Sequence, residues 1–334
     1  MTHNLRQSSD SPASDSRRRY MKLASGLLLA SPAISLARQE QREVRWVVGY
    51  SPGGGADTVA RLIASTPPLA DRPTIVENKP GAGGRIALVA VKNRKPNERQ
   101  YYFGPSSILT LMPHVIPDLP YDLFRDFRPV STVCSFPYAL VVSPDIGVDS
   151  IEGLLDWATK NPDKAFFGTP GVGLPQHLIG TLLSKLSGVP LQPVHFKSGS
   201  EATQMLLSGQ LPIAIATPGQ FYQLHRAGRV RMLATTGRAR PERLPEVVTF
   251  SERGFDSMVF EDSFCLLCTK SASDQVVQEL QPDIATALDT PVLQKALRDQ
   301  DVPPLIIQGE AYSDYLREEH NRWAQVVKDV GFKL

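Results

Sequence analysis

The residues best suited to chemistry in this 334-residue chain lie in two glycine-rich turns, each set between an apolar run and a helical pattern. The first, Ser51-Pro52-Gly53-Gly54-Gly55-Ala56-Asp57-Thr58, follows the apolar run Trp46–Tyr50 and leads into Ala60, Leu62 and Ile63 on one helical face. A strand that feeds a helix through such a turn leaves backbone N–H groups free at the positive end of the helix. That is an anion site, and the missing Cβ atoms let a ligand reach the main chain. The second turn, Gly168-Thr169-Pro170-Gly171-Val172-Gly173, runs through Leu174-Pro175-Gln176-His177 into another helical pattern. Such turns are common in α/β proteins, and neither decides function alone. The first lacks the lysine of a phosphate-binding loop. The chemistry on offer is capture of an anion by main-chain amides. Three side chains near these turns carry two readings each. Asp57 either caps its helix or touches the ligand, His177 either orients the loop or acts as a base, and Lys197 either steers anions or is simply solvated.

These turns need strands behind them. Strand patterns fall at 45–50, 74–77, 101–104, 138–142, 165–168, 192–196, 212–216, 231–235 and 264–269, with helical patterns between most of them. Helices are expected at 84–92, 151–160, 175–186, 200–207 and 220–226, then at 274–288, 291–298 and 310–330. The alternation predicts doubly wound parallel sheets. Ligands of open α/β sheets bind beyond the carboxyl ends of the strands. Four small-residue turns at such ends, 51–57, 81–84, 104–107 and 168–173, fit one cleft, which adds Ser106 to the candidate contacts.

The first 37 residues read as an export signal. Ser16-Arg17-Arg18-Arg19-Tyr20-Met21-Lys22 matches the twin-arginine pattern, an uncharged run follows, and Ser35-Leu36-Ala37 suits signal peptidase. The run is too short to span a bilayer, and a disordered basic tail is the alternative. The segment carries five basic and two acidic residues, so its removal takes the net charge from +2 to −1. No nucleic-acid footprint is expected on the remainder, and no second long apolar stretch suggests a membrane span. Localisation in the periplasm follows, with the twin-arginine translocon and signal peptidase as partners in export. No cofactor or metal is expected.

Three cysteines do not make a disulfide framework. Cys265 and Cys268 sit in a strand pattern, where positions three apart face opposite sides. Cys134 and Cys265 lie near two expected crossover strands, and a bridge between them would need Cα atoms within about 7 Å.

Several motifs together resemble one family. Tyr50–Asp57 resembles the F/Y-P-P-G-G-x-x-D loop of Bug-type periplasmic solute receptors, the extracytoplasmic receptors of tripartite tricarboxylate transporters. Val76-Glu77-Asn78-Lys79-Pro80-Gly81-Ala82-Gly83-Gly84 is similar to that family's V-E-N-R-P-G-A-G-G, and Gly168–Leu178 to its G-S-x-G-x-G-T-x-x-H-L. Further similarity covers 121–130, 195–209, 232–236 and the end of the chain from Asn321-Arg322-Trp323 to Gly331. The resemblance implies a two-lobed type II periplasmic-binding-protein fold of α/β lobes with a ligand cleft between them. It implies lobe 1 over 38–138 plus 254–334, lobe 2 over 139–253, and a small carboxylated ligand held by loop amides. By motif position those are Ser51, Gly53, Gly54, Gly55, Ala56, Asp57 and Thr58 in one lobe. In the other they are Gly168, Thr169, Gly171, Gly173 and His177.

The chain departs from the pattern at three places. Ser51 stands where the family usually has proline, Ile215-Ala216 where it commonly has Asp-Asn, and Ser263 where an aromatic usually precedes Phe264. The carboxylate clamp is retained while the pocket floor is changed. The expected function is a receptor that passes a di- or tricarboxylate, amino acid or aromatic acid to membrane permease subunits. A sensory module docking on a signalling partner, or an exported α/β enzyme, are the alternatives.

Overall fold

The computed structural model describes residues 43–332; the expected signal over residues 1–37 lies outside them. Two sheets form. The first has the order β2 (Thr74–Asn78), β1 (Val44–Val48), β3 (Gln100–Pro105), β11 (Asp262–Thr269), β4 (Phe127–Phe136). The second has the order β10 (Val248–Thr249), β9 (Arg231–Thr235), β5 (Ala139–Val142), β8 (Ile213–Ala216), β6 (Phe166–Thr169), β7 (Gln192–His195). The inner strands β3, β11, β5 and β8 are buried along their whole length, and the apolar sequences of β5 and β8 are what two covered faces require. Side chains alternate across β1: Val44, Trp46 and Val48 enter one core, Val47 the other. Trp46 stacks on Phe103 of β3 with ring centroids 5.5 Å apart.

The sheets are not wholly parallel as the alternation predicts. β11 runs antiparallel to β3 and β4, and β5 antiparallel to β8 and β9. These are the strands that follow a crossing between sheets. β5 comes only two residues after β4, and β11 brings the chain back. The parallel strands end at the cleft, so a strand that enters from the cleft must point the other way. β4 was not expected as a strand. Pro129 interrupts its pattern, which is tolerated because β4 is an edge. Residues 303–308 cover that edge, with Thr132 N–H donating to Ile307 O, Leu305 N–H to Val133 O and Ser135 N–H to Pro303 O. The helix expected over 274–288 is divided into Asp274–Gln278 and Gln281–Leu288, with Pro282 in the first turn of the second piece.

The last helix, Gly309–Val330, ties the core together. Tyr312 and Leu316 pack in one cluster and Trp323 and Val327 in the other. Among the described residues no helix is long and apolar enough to cross a membrane. All three cysteines are free and buried. Cys265 faces the core that holds Tyr102 and Tyr312, whereas Cys134 and Cys268 face the other. Cys134 therefore does not bridge to Cys265: in the register Cys134 lies opposite Phe264, and Cys265 opposite Thr132.

Candidate ligand-binding cleft

A cavity of about 560 Å³, its open mouth included, lies between the ends of the two sheets. Three helix N-termini face it. Gly54, Gly55 and Ala56 open the helix Gly55–Ala64, Pro175 and Gln176 open Pro175–Ser187, and Ser198 and Gly199 open Gly199–Leu207. The first N–H groups of a helix have no intrahelical acceptor, so each end offers free donors and a positive dipole. The Gln220 amide lies between two of these ends. A Cβ built on Gly55 would sit 3.3 Å from its Nε2, and one built on Gly199 would sit 3.5 Å from its Oε1. Gln220 Nε2 also donates to Thr217 Oγ1 at 2.7 Å, and the two sides approach closely there, with Gly55 against Thr217.

The first loop is held from behind. Asp57, the third helical residue, accepts from Gly53 N–H at 2.9 Å, from Asn78 Nδ2 at 2.8 Å and from Arg61 Nε at 3.0 Å. Burial alone would raise its pKa, but these donors outweigh burial and hold it below the ordinary carboxylate value. Gly53 has φ +79°, a conformation that favours glycine, and this turns its N–H back to Asp57. The second loop has an analogous tie. Gly173, at φ +77°, donates its N–H to His177 Nδ1 at 3.2 Å. His177 is packed against His195 and Phe332. Burial first, and then His195, lowers its pKa to about 4, so the ring is neutral and serves as an acceptor. At the third N-terminus Ser198 Oγ accepts from Glu201 N–H, and Glu201 accepts from Lys197 N–H.

A family model described as the tripartite tricarboxylate transporter family receptor matches residues 59–332. The chain belongs to that family. The receptor is 28% identical to Protein BugT of Bordetella pertussis, over 92% of its own length and 94% of BugT. Among solved structures it is similar to the periplasmic binding protein BugD, with TM-score 0.83, 26% identity, and coverage of 88% of this chain and 99% of that one. It is also similar to R. palustris Rpa4515 with adipate, with TM-score 0.80, 26% identity and the same coverage. The fold is the two-lobed α/β fold of periplasmic binding proteins, and the receptor is a solute-binding protein of the periplasm.

Of the residues singled out from the receptor's sequence, Gly54, Gly55 and Ala56 line the cavity. Gly53 and Thr58 line an adjoining one of about 520 Å³, which shares Gly55, Thr217, Gln220 and Phe264 with the first. Ser51, Asp57, Gly168, Thr169, Gly171, Gly173 and His177 line neither. Asp57 is not the N-cap, which is Gly54. Thr169 Oγ1 accepts from Gly171 N–H and donates to Gly171 O, closing the turn on itself. Gly168 is packed against Leu211 and Phe196, so a side chain there would have to displace them. Lys197 is exposed and lines neither cavity. Ser106 is buried, with its hydroxyl donating to Asp262 and accepting from Ser263.

Other lining residues escaped the sequence reading. Tyr50, Phe136, Tyr138 and Phe264 form an aromatic wall, in which Phe136 and Phe264 have ring centroids 4.3 Å apart. Behind it Asp262, 2% exposed, accepts hydrogen bonds from Ser106 Oγ, Ser107 N–H and Oγ, Ser263 N–H and Tyr138 O–H. Gln176 Oε1 is buried without a hydrogen-bond partner beside the cavity. The third N-terminus carries a sequence signal, Ser198-x-x-Glu201, which marks a capped helix start.

Proposed function

We propose that this chain is an extracytoplasmic receptor that captures a small carboxylate in the cleft and delivers it to the membrane permease subunits of a tripartite transporter. The convergence of three helix N-termini on one cavity carries this reading, because it supplies fixed donors for an anion with no catalytic group. Rpa4515 with adipate supports it, as a relative of this fold holding a carboxylate. The family is one of receptors, and binding with release suffices for the role.

Several finer points belong to the same proposal. The chain is exported through the twin-arginine translocon and cleaved by signal peptidase near Ala37. Lobe 1 comprises 38–138 plus 254–334 and lobe 2 comprises 139–253; the division of strands between the two sheets supports this. The amides of Gly55 and Ala56 bind the carboxylate, Gly54, whose N–H donates to Ser51 O, lets it approach, and Gly53 and Thr58 border it. Ser51, Asp57, Ser106, Gly168, Thr169, Gly171, Gly173, His177 and Lys197 act by shaping or surrounding the clamp. Contact with both lobes gives the ligand a preference for the closed cleft, without which closure would not follow binding.

The test is to isolate the exported protein without denaturation and identify its retained small molecule by mass spectrometry. A carboxylic acid is expected; a neutral sugar or a cation would overturn the reading. Changing Arg17 and Arg18 to lysine is expected to leave precursor in the cytoplasm, and unimpaired export would remove the twin-arginine claim.

A further inference from the structure

We infer that the ligand is a monocarboxylate with a flat apolar body, of the aromatic-acid class, and that a second carboxylate is selected against. This rests on the receptor reading above and deepens it. Among the described residues no Lys, Arg, His, Asp or Glu lines the main cavity. The cavity is served by helix ends and by neutral side chains, and two of the three ends meet at Gln220. That arrangement holds one anionic group. Phe136, Tyr138 and Phe264 form an aromatic wall of the same cavity. Its hydroxyl is already spent, because Tyr138 O–H donates to Asp262 at 2.7 Å. Tyr50, the remaining aromatic at the cavity, donates to Gly83 O at 3.3 Å. The wall therefore presents ring faces and edges, which suit an aromatic or branched apolar body.

A second carboxylate at this wall would lose its water without gaining donors. It would also approach the Asp262 carboxylate, whose hydrogen bonds all come from the protein itself, and like charges at short range in a poorly solvated place repel.

The experiment is calorimetric titration of the ligand-free receptor with benzoate, phenylacetate, adipate and citrate at pH 7.5. Benzoate or phenylacetate is expected to bind at least tenfold more tightly than adipate and citrate. Adipate or citrate binding as tightly as the aromatic acids, or more so, would overturn the inference and leave the receptor reading standing. Failure of every carboxylate to bind would overturn both. Competition adds a second measurement: an excess of citrate is expected to leave benzoate affinity unchanged within twofold, and full displacement by citrate at equal concentration would count against the inference.

Discussion

The Tyr138 hydroxyl donates a 2.7 Å hydrogen bond to the buried carboxylate of Asp262. Tyr138 lies where the chain leaves the first sheet, and Asp262 starts the strand on which it returns. One hydrogen bond therefore joins both passages between the sheets at the wall of the cleft. Tyr138→Phe would remove a donor to a charged acceptor while keeping the ring, at a cost of about 1.5–3 kcal/mol of stability. A urea denaturation midpoint measured against wild type checks this, and an unchanged midpoint would show that the tie is not structural.

Asp57 acts through the loop rather than through the ligand. Its carboxylate accepts from Gly53, Arg61 and Asn78, so Asp57→Ala leaves the Gly53 N–H without its acceptor and the loop less fixed. Carboxylate affinity is expected to fall about five- to thirtyfold, about 1–2 kcal/mol, although Asp57 does not line the cavity. Calorimetry with the retained ligand reads this directly, and an affinity gain on removing the negative charge would mean that Asp57 meets the ligand itself.

His177 couples the second loop to pH. Its pKa is lowered from the ordinary 6.5 to about 4 by burial and then by His195. Between those values the unfolded chain binds a proton that the folded chain does not. Stability from this group is therefore fully present above pH 6.5 and is lost as the pH falls towards 4. The shift corresponds to a loss on the order of 3 kcal/mol. His177→Asn keeps an acceptor for the Gly173 N–H and is expected to flatten the pH dependence of the denaturation midpoint between pH 7 and 4.5. An identical slope in the variant would place the proton elsewhere.

Legibility in the sequence followed locality. The loop at 51–58 could be read because an apolar strand, three glycines and a helical pattern are contiguous. The second loop could be read for the same reason. Strand β4 was hidden because Pro129 and the hydroxyl residues Ser131, Thr132 and Ser135 break its apolar pattern, and its pairing with the distant β11 defines it. The direction of β5 and β11 depends on which sheet the chain has just left, which no local pattern records. Asp262 gave no signal either, because its partners Tyr138, Ser107 and Ser106 lie 124, 155 and 156 positions away. The aromatic wall was invisible for the same reason: Phe136, Tyr138 and Phe264 meet only through the crossing strands.

The claim that the cleft captures an anion on the Gly55–Ala64 helix end is tested most directly at Gly54, which lines the cavity. Its backbone is in an ordinary extended conformation at φ −75°, and a Cβ there would meet only Ser51 O, at 3.3 Å. Gly54→Val therefore puts a branched side chain where the carboxylate should sit without a side-chain clash, at a helix-capping cost of about 1 kcal/mol. Calorimetry with the retained carboxylate, with circular dichroism confirming the fold, is the decisive measurement. The account predicts at least a tenfold loss of affinity, about 1.4 kcal/mol. A well-folded Gly54→Val receptor that binds the same acid with unchanged affinity would contradict it.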